Sequence, residues 1–239
     1  MNNMWRNDEF IKWDQEGRQI NNDVTSLHLV NLNIKSFGRL ENLVGLKILY
    51  CFNTLLVSLE GIENLINLRE LYCEKSNIKS LEGIEKLVNL EILDCQNNNL
   101  ISLKGIENLT NLLYLDCKYN QLISLKEIKN LVKLEILICH NNKLISLENL
   151  NNLQSLEELY CENNELTTVD GIEIFIELIK NNKKLANDIR YNFIDSNNNE
   201  NLKKLEELFN NFIGDNENED KFNEYIDDIK YHIVKLKEI

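Results

Sequence analysis

Six cysteines stand at positions 51, 73, 95, 117, 139 and 161, each 22 residues after the last. Thiols offer three kinds of chemistry: metal ligation, disulfide formation and nucleophilic attack. A zinc site gathers its ligands around one point, whereas a fixed period spreads identical side chains along a line. In-register parallel strands would hold neighbouring Cβ atoms about 4.8 Å apart, beyond the separation of about 3.8 Å that a disulfide needs. A column of free cysteines packed as small hydrophobes is the expectation. Cys139 is followed by His140, but adjacent residues on a strand point to opposite faces, so thiol and imidazole cannot form a nucleophile and base pair. His28 and His232 are too scattered to complete a catalytic set. Asp195-x-Asn197-x-Asn199-x-Asn201-Leu202, with Glu206 in twelfth place, has the spacing of a calcium-binding loop. Its sixth residue is Glu200 rather than glycine and it carries few carboxylates, so an Asn-rich linker is the simpler reading. Nor is there a glycine-rich phosphate loop. No catalytic residue, cofactor or metal is expected.

The same 22-residue step organises everything around the cysteines. One unit reads Leu90-x-x-Leu93-x-Cys95-x-x-Asn98-x-Leu100-x-Ser102-Leu103-x-Gly105-Ile106-x-x-Leu109, and the next repeats it with Leu112, Leu115, Cys117, Asn120, Leu122, Ser124, Leu125, Ile128 and Leu131. An earlier unit, Val24, Leu27, Leu29, Leu32, Ile34, Ser36, Phe37 and Leu40, has Leu29 in the cysteine place, so seven rungs are expected. A period of this length marks a solenoid, whose units bury their apolar sides only by stacking. Asn98, Asn120, Asn142 and Asn164 should form a ladder that bonds backbone groups where each strand turns away. Leu32, Thr54 and Ser76 hold that column in the first rungs, which predicts a weaker ladder there.

The pattern resembles the L-x-x-L-x-L-x-x-N-x-L leucine-rich repeat. Its continuation, Ser80-Leu81-Glu82-Gly83-Ile84-Glu85-Lys86-Leu87-Val88-Asn89-Leu90, is similar to the 22-residue class of bacterial internalins and of a leucine-rich regulator of type-one protein phosphatase. The resemblance implies an α/β fold: a right-handed solenoid with a parallel β-sheet on its concave side and short 3₁₀ turns on its convex side.

Solenoids need covered ends. Residues 1–23, with Trp5, Phe10, Ile11 and Trp13, are read as an amino-terminal cap, 24–172 as the solenoid and 173–239 as a helical cap or small helical domain. Helical spacing supports the last: Ile172, Phe175, Ile176 and Ile179, then Leu202, Leu205, Leu208, Phe209 and Phe212, then Phe222, Tyr225, Ile226, Ile229, Ile233 and Leu236. These helices contain no recognisable nucleophile, base and orienting group, which makes a hydrolase the remotest reading.

A formal charge of −13 and a pI near 4.8 disfavour nucleic acid and anionic membrane surfaces as partners. The first residues lack a signal peptide's apolar run and no stretch is long enough to span a bilayer, so a cytoplasmic monomer is expected. Proline is absent, and the abundance of Asn beside Lys and Ile suggests an AT-rich genome such as that of a large DNA virus or a protist.

What remains is the outward face of the strands. The columns run Ser26/His28/Val30, Ile48/Tyr50/Phe52, Glu70/Tyr72/Glu74, Ile92/Asp94/Gln96, Tyr114/Asp116/Lys118, Ile136/Ile138/His140 and Glu158/Tyr160/Glu162. Aromatic rings among acids suit an interface that grips a basic or amphipathic segment of another protein. The expected contact residues are Tyr50, Phe52, Glu70, Tyr72, Glu74, Asp94, Tyr114, Asp116, Lys118, His140, Glu158, Tyr160 and Glu162. A non-enzymatic interaction module is the leading reading, and a regulatory subunit of an enzyme such as a phosphatase the alternative.

Overall fold

The computed structural model describes residues 3–38 and 40–168, together with Tyr231. The carboxy-terminal helices, the Asp195 to Glu206 loop, His232 and the last residues assigned to the solenoid lie outside the described residues. Eight parallel strands form one sheet in sequence order, β1 to β8. They are β1 (Asn3–Trp5), β2 (Val24–His28), β3 (Ile48–Tyr50), β4 (Glu70–Tyr72), β5 (Ile92–Asp94), β6 (Tyr114–Asp116), β7 (Ile136–Ile138) and β8 (Glu158–Tyr160). From β2 to β8 the register is in steps of 22, so Leu27, Leu49, Leu71, Leu93, Leu115, Leu137 and Leu159 stand opposite one another. That alignment is what the period predicts, because only the 22-residue step keeps each inward leucine over the next.

Behind the sheet lies one continuous apolar core that includes all six cysteines, buried and free of disulfides. Burial pushes every one of these thiols well above its ordinary pKa, which keeps it protonated and inert.

The ladder asparagines close the sharp turn after each strand. Asn120 Nδ2 donates to the carbonyls of Cys95 (3.0 Å), Cys117 (3.0 Å) and Lys118 (3.2 Å), while its Oδ1 accepts from Leu100 N (3.0 Å). Asn98, Asn142 and Asn164 repeat the pattern. In the earlier rungs Thr54 Oγ1 donates to Cys51 O (3.2 Å) and lies 2.9 Å from Ser76 Oγ, a shorter substitute that serves fewer groups.

Two further asparagine columns use the residue for other reasons. Asn31, Asn53, Asn97, Asn141 and Asn163 adopt positive φ, between 52° and 58°, immediately before the ladder position. Asparagine tolerates this left-handed region better than other residues with a side chain, because its amide can bond locally. Farther round, Asn67, Asn89 and Asn111 each donate to the carbonyl of the residue 23 before, at 2.8 to 2.9 Å. Asparagine thus serves three fixed places in the rung.

The turns opposite the sheet vary with one residue. Gly61, Gly83 and Gly105 have φ of 102° to 115°, and a Cβ there would meet the backbone of the preceding rung at 2.4 to 2.9 Å. Where Glu127 and Asn149 replace glycine, the turn tightens into 3₁₀ helices at Lys126–Ile128 and Glu148–Asn152. Among the described residues the expected 3₁₀ turns occur in the rungs that lack this glycine, Leu40–Asn42 included, where Arg39 stands in its place.

At the amino-terminal end β1 adds an eighth strand to the seven rungs, and α1 (Asn7–Gln15) packs over the first rung. Phe10 and Trp13 are buried, Trp5 packs against Trp13 at 5.8 Å, and Trp13 Nε1 donates to Gln19 O. Ile11, expected in this cover, is 42% exposed: one residue after Phe10 it falls on the outer side of the helix.

Candidate partner-binding face

The open side of the sheet carries two kinds of surface. Over β2 to β4 three rings stack along one column: His28 and Tyr50 lie 4.3 Å apart, and Tyr50 and Tyr72 lie 4.6 Å apart within 7° of parallel. The in-register pairing His28, Tyr50, Tyr72 dictates this, since rings on adjacent parallel strands face one another at the strand spacing. Tyr72 donates its hydroxyl to Glu70 (3.0 Å), and Tyr160 does the same to Glu158 (2.7 Å). Phe52 and Tyr114 are half-buried beside them. Burial first, then the neighbouring acids, raises the phenol pKa of Tyr72 and Tyr114, so both remain neutral rings.

Beyond Tyr72 the column becomes acidic. Asp94 and Asp116 are paired in register on β5 and β6. Asp116 is only 1% exposed, although its column faces outward, because Lys118 folds back over it with Nζ 2.7 Å from Oδ2. Asp94 has no such cation: its oxygens accept from Gln96 N (3.2 Å) and Gln96 Nε2 (3.0 Å). Glu74, one rung earlier, has Oε2 buried with no hydrogen-bond partner. Burial raises the pKa of both Asp94 and Glu74, and the negative charges around them raise it further, Asp116 acting on both and Asp94 on Glu74. Three carboxylates thus meet two lysines: Lys118 pairs with Asp116 and acts on Asp94, while Lys75 acts on Glu74.

His140 lies on the same face while Cys139 is in the core, so the adjacent pair is split as strand alternation requires. Its Nδ1 is 2.6 Å from Asn141 Nδ2 and 3.8 Å from Glu162 Oε1, and Tyr119 presents its ring edge to the imidazole at 5.3 Å and 82°. Tyr119 was not among the residues singled out in the sequence, because its place beside Lys118 lies just past the strand. The signal was there: it interrupts a column otherwise rich in asparagine. Among the described residues no three His, Cys, Asp or Glu side chains gather into a group that could hold a metal, and no helix is long and apolar enough to cross a membrane.

The raised carboxylates carry a pH signature. Their protonated forms are favoured in the folded chain, so the stability they contribute is fully present below the unfolded values and is lost as pH rises through the folded ones. Urea midpoints measured from pH 4 to 7 should therefore fall more for the native chain than for Glu74→Gln/Asp94→Asn, which should be the more stable of the two at pH 7. Parallel pH profiles would contradict a strained acidic centre.

Residues 66–108 and 132–174 match the family described as Leucine Rich repeats (2 copies). The fold is similar to that of internalin C2 from Listeria monocytogenes, at 26% identity and a TM-score of 0.60 over 63% of this chain and 67% of that one. It is also similar to a leucine-rich-repeat protein of Leptospira interrogans, at 30% identity and a TM-score of 0.63 over 70% of this chain. A third, the functional domain of InlJ from Listeria monocytogenes, described as including a cysteine ladder, shares the fold at 24% identity and a TM-score of 0.57 over 63% of this chain. The chain spans 43% of the Leptospira structure and 32% of the InlJ one. No curated protein sequence matches it.

Proposed function

We propose that this chain, a leucine-rich-repeat solenoid, is a non-catalytic module that binds another protein across the open face of its sheet, gripping an extended segment through one lysine or arginine. The observation that carries this reading is the charge imbalance at the centre of the face: Glu74, Asp94 and Asp116 against Lys118 and Lys75, with only Asp116 of the three ion-paired and one Glu74 oxygen buried and unpartnered. A partner's cation would relieve the mutual repulsion and satisfy that oxygen. The stacked Tyr50 and Tyr72 supply apolar contact next to it, the type of surface on which a few residues dominate binding. From Tyr50 to Tyr160 is five strand spacings, about 24 Å, which an extended segment of about seven residues would cross. The chain's net charge of −13 would speed the approach of such a partner at low salt.

Selection from a random dodecapeptide display library tests the proposal. Peptides enriched on the native chain are expected to share a lysine or arginine, and Glu74→Gln/Asp94→Asn should weaken a synthetic peptide of that sequence about tenfold or more while flattening its salt dependence. Enriched peptides without a basic residue, or equal affinity and salt response in the variant, would overturn it.

A further inference from the structure

The backbone position that precedes the ladder residue takes a left-handed φ in all seven rungs, and asparagine fills it in five of them: 31, 53, 97, 141 and 163. The exceptions are Lys75 (φ 53°) and Tyr119 (φ 53°). For a bulky ring this region is an outlier, because Cβ crowds the following carbonyl oxygen. Asn97 and Asn141 use the position to bond the side chains of Gln96 and His140, respectively. Tyr119 leaves its ring 48% exposed at the edge of the binding face, edge-on to His140 and next to the Lys118 that covers Asp116. With half of the residue exposed, partial burial and the contact with His140 offset only part of the strain. Strain of this kind persists where a site uses the residue it imposes.

We propose that Tyr119 is a contact residue of the binding face, its ring packing against the apolar residue that flanks the partner's lysine or arginine. This rests on the reading of the open sheet face given above. It adds a rim contact in the rung of Asp116 itself, at the end of the acidic centre away from the His28, Tyr50 and Tyr72 stack. The anchor and the rim then specify a segment with a basic residue in the middle and an apolar or aromatic one beside it.

Three variants and one probe test it. The probe is a synthetic peptide enriched from the dodecapeptide library on the native chain, its affinity measured by calorimetry beside a urea midpoint for each protein. Tyr119→Asn should raise the midpoint, lowering the unfolding constant about fivefold or more by releasing the left-handed strain, and should weaken the peptide about fivefold or more. Tyr119→Phe keeps the ring and should leave both quantities near native. Lys75→Asn relieves the same strain without removing a ring, so it should raise the midpoint, and because it also removes a cation acting on Glu74 it should hold or strengthen peptide affinity, never weaken it. If Tyr119→Asn binds the peptide as the native chain does while Glu74→Gln/Asp94→Asn does not, the rim contact is wrong and the acidic centre stands. If Tyr119→Asn loses binding and the acidic variant keeps it, the rim contact stands and the anchor is wrong. A midpoint unchanged or lowered in Tyr119→Asn overturns the argument from strain.

Discussion

Asn120→Ala is expected to destabilise the chain by about 2–4 kcal/mol. The side chain is buried and makes four hydrogen bonds to backbone groups of two successive rungs. Alanine would leave the Leu100 N–H without its acceptor, at a cost of about 1–3 kcal/mol, and would take one of two donors from the carbonyls of Cys95 and Cys117, which keep those of Asn98 and Asn142. The bonds to Cys95 and Leu100 also couple one rung to the one before, so the interface between units weakens with them. Thr54→Ala provides the comparison. Thr54 Oγ1 donates to Cys51 O, pairs with Ser76 Oγ and accepts a long bond from Leu56 N (3.4 Å) but reaches no carbonyl of the preceding rung, and its loss should cost about 1 kcal/mol. Urea denaturation of the two variants decides the matter: similar midpoints would mean that the ladder does not hold the rungs together.

Gly61→Ala should cost about 2–3 kcal/mol, through backbone and not side-chain chemistry. At a φ of 102° an L side chain is strained, and its Cβ would lie 2.4 Å from the Gly38 carbonyl oxygen. The loss is bounded because this chain already contains the way out. At Glu127 the corresponding turn closes as 3₁₀ helix, so the substituted rung can refold locally toward that geometry instead of carrying the full clash. Gly17→Ala, with positive φ but only Gln19 Nε2 near its Cβ at 3.8 Å, should cost less. Equal thermal midpoints for the two would show that close packing between rungs contributes nothing at Gly61.

How much of this was legible beforehand depends on what each residue answers to. The inward leucines and cysteines answer to the period alone, and the strand register, the core and the ladder from Asn98 to Asn164 follow from it. Expectations that needed a neighbour's conformation were harder to read. Asp116 belongs to an outward column yet is buried, because Lys118 folds over it, and nothing in alternation says which way a lysine bends. Ile11 sits beside Phe10 in an apolar stretch, but the helix turns it outward. The strand β1 has no repeat signature; it forms because the edge of β2 offers unpaired backbone groups to any extended segment beside it. In the Asn97-Asn98 and Asn141-Asn142 doublets only the second residue was assigned a role, since a left-handed φ leaves no hydrophobic pattern. Once that column is seen, Tyr119 stands out from it, and with it a part of the candidate site that composition and alternation had passed over.

The central claim, that a basic segment lies across the open sheet face, is tested most directly by photo-crosslinking. A benzophenone amino acid replaces Phe52, next to Glu74 in the same outward column, and in a second protein replaces the exposed Val88 on the turns opposite the sheet. With the library-derived peptide bound, the account predicts a crosslink from position 52 that high salt suppresses, and none from position 88; a crosslink from position 88 with position 52 silent would contradict it.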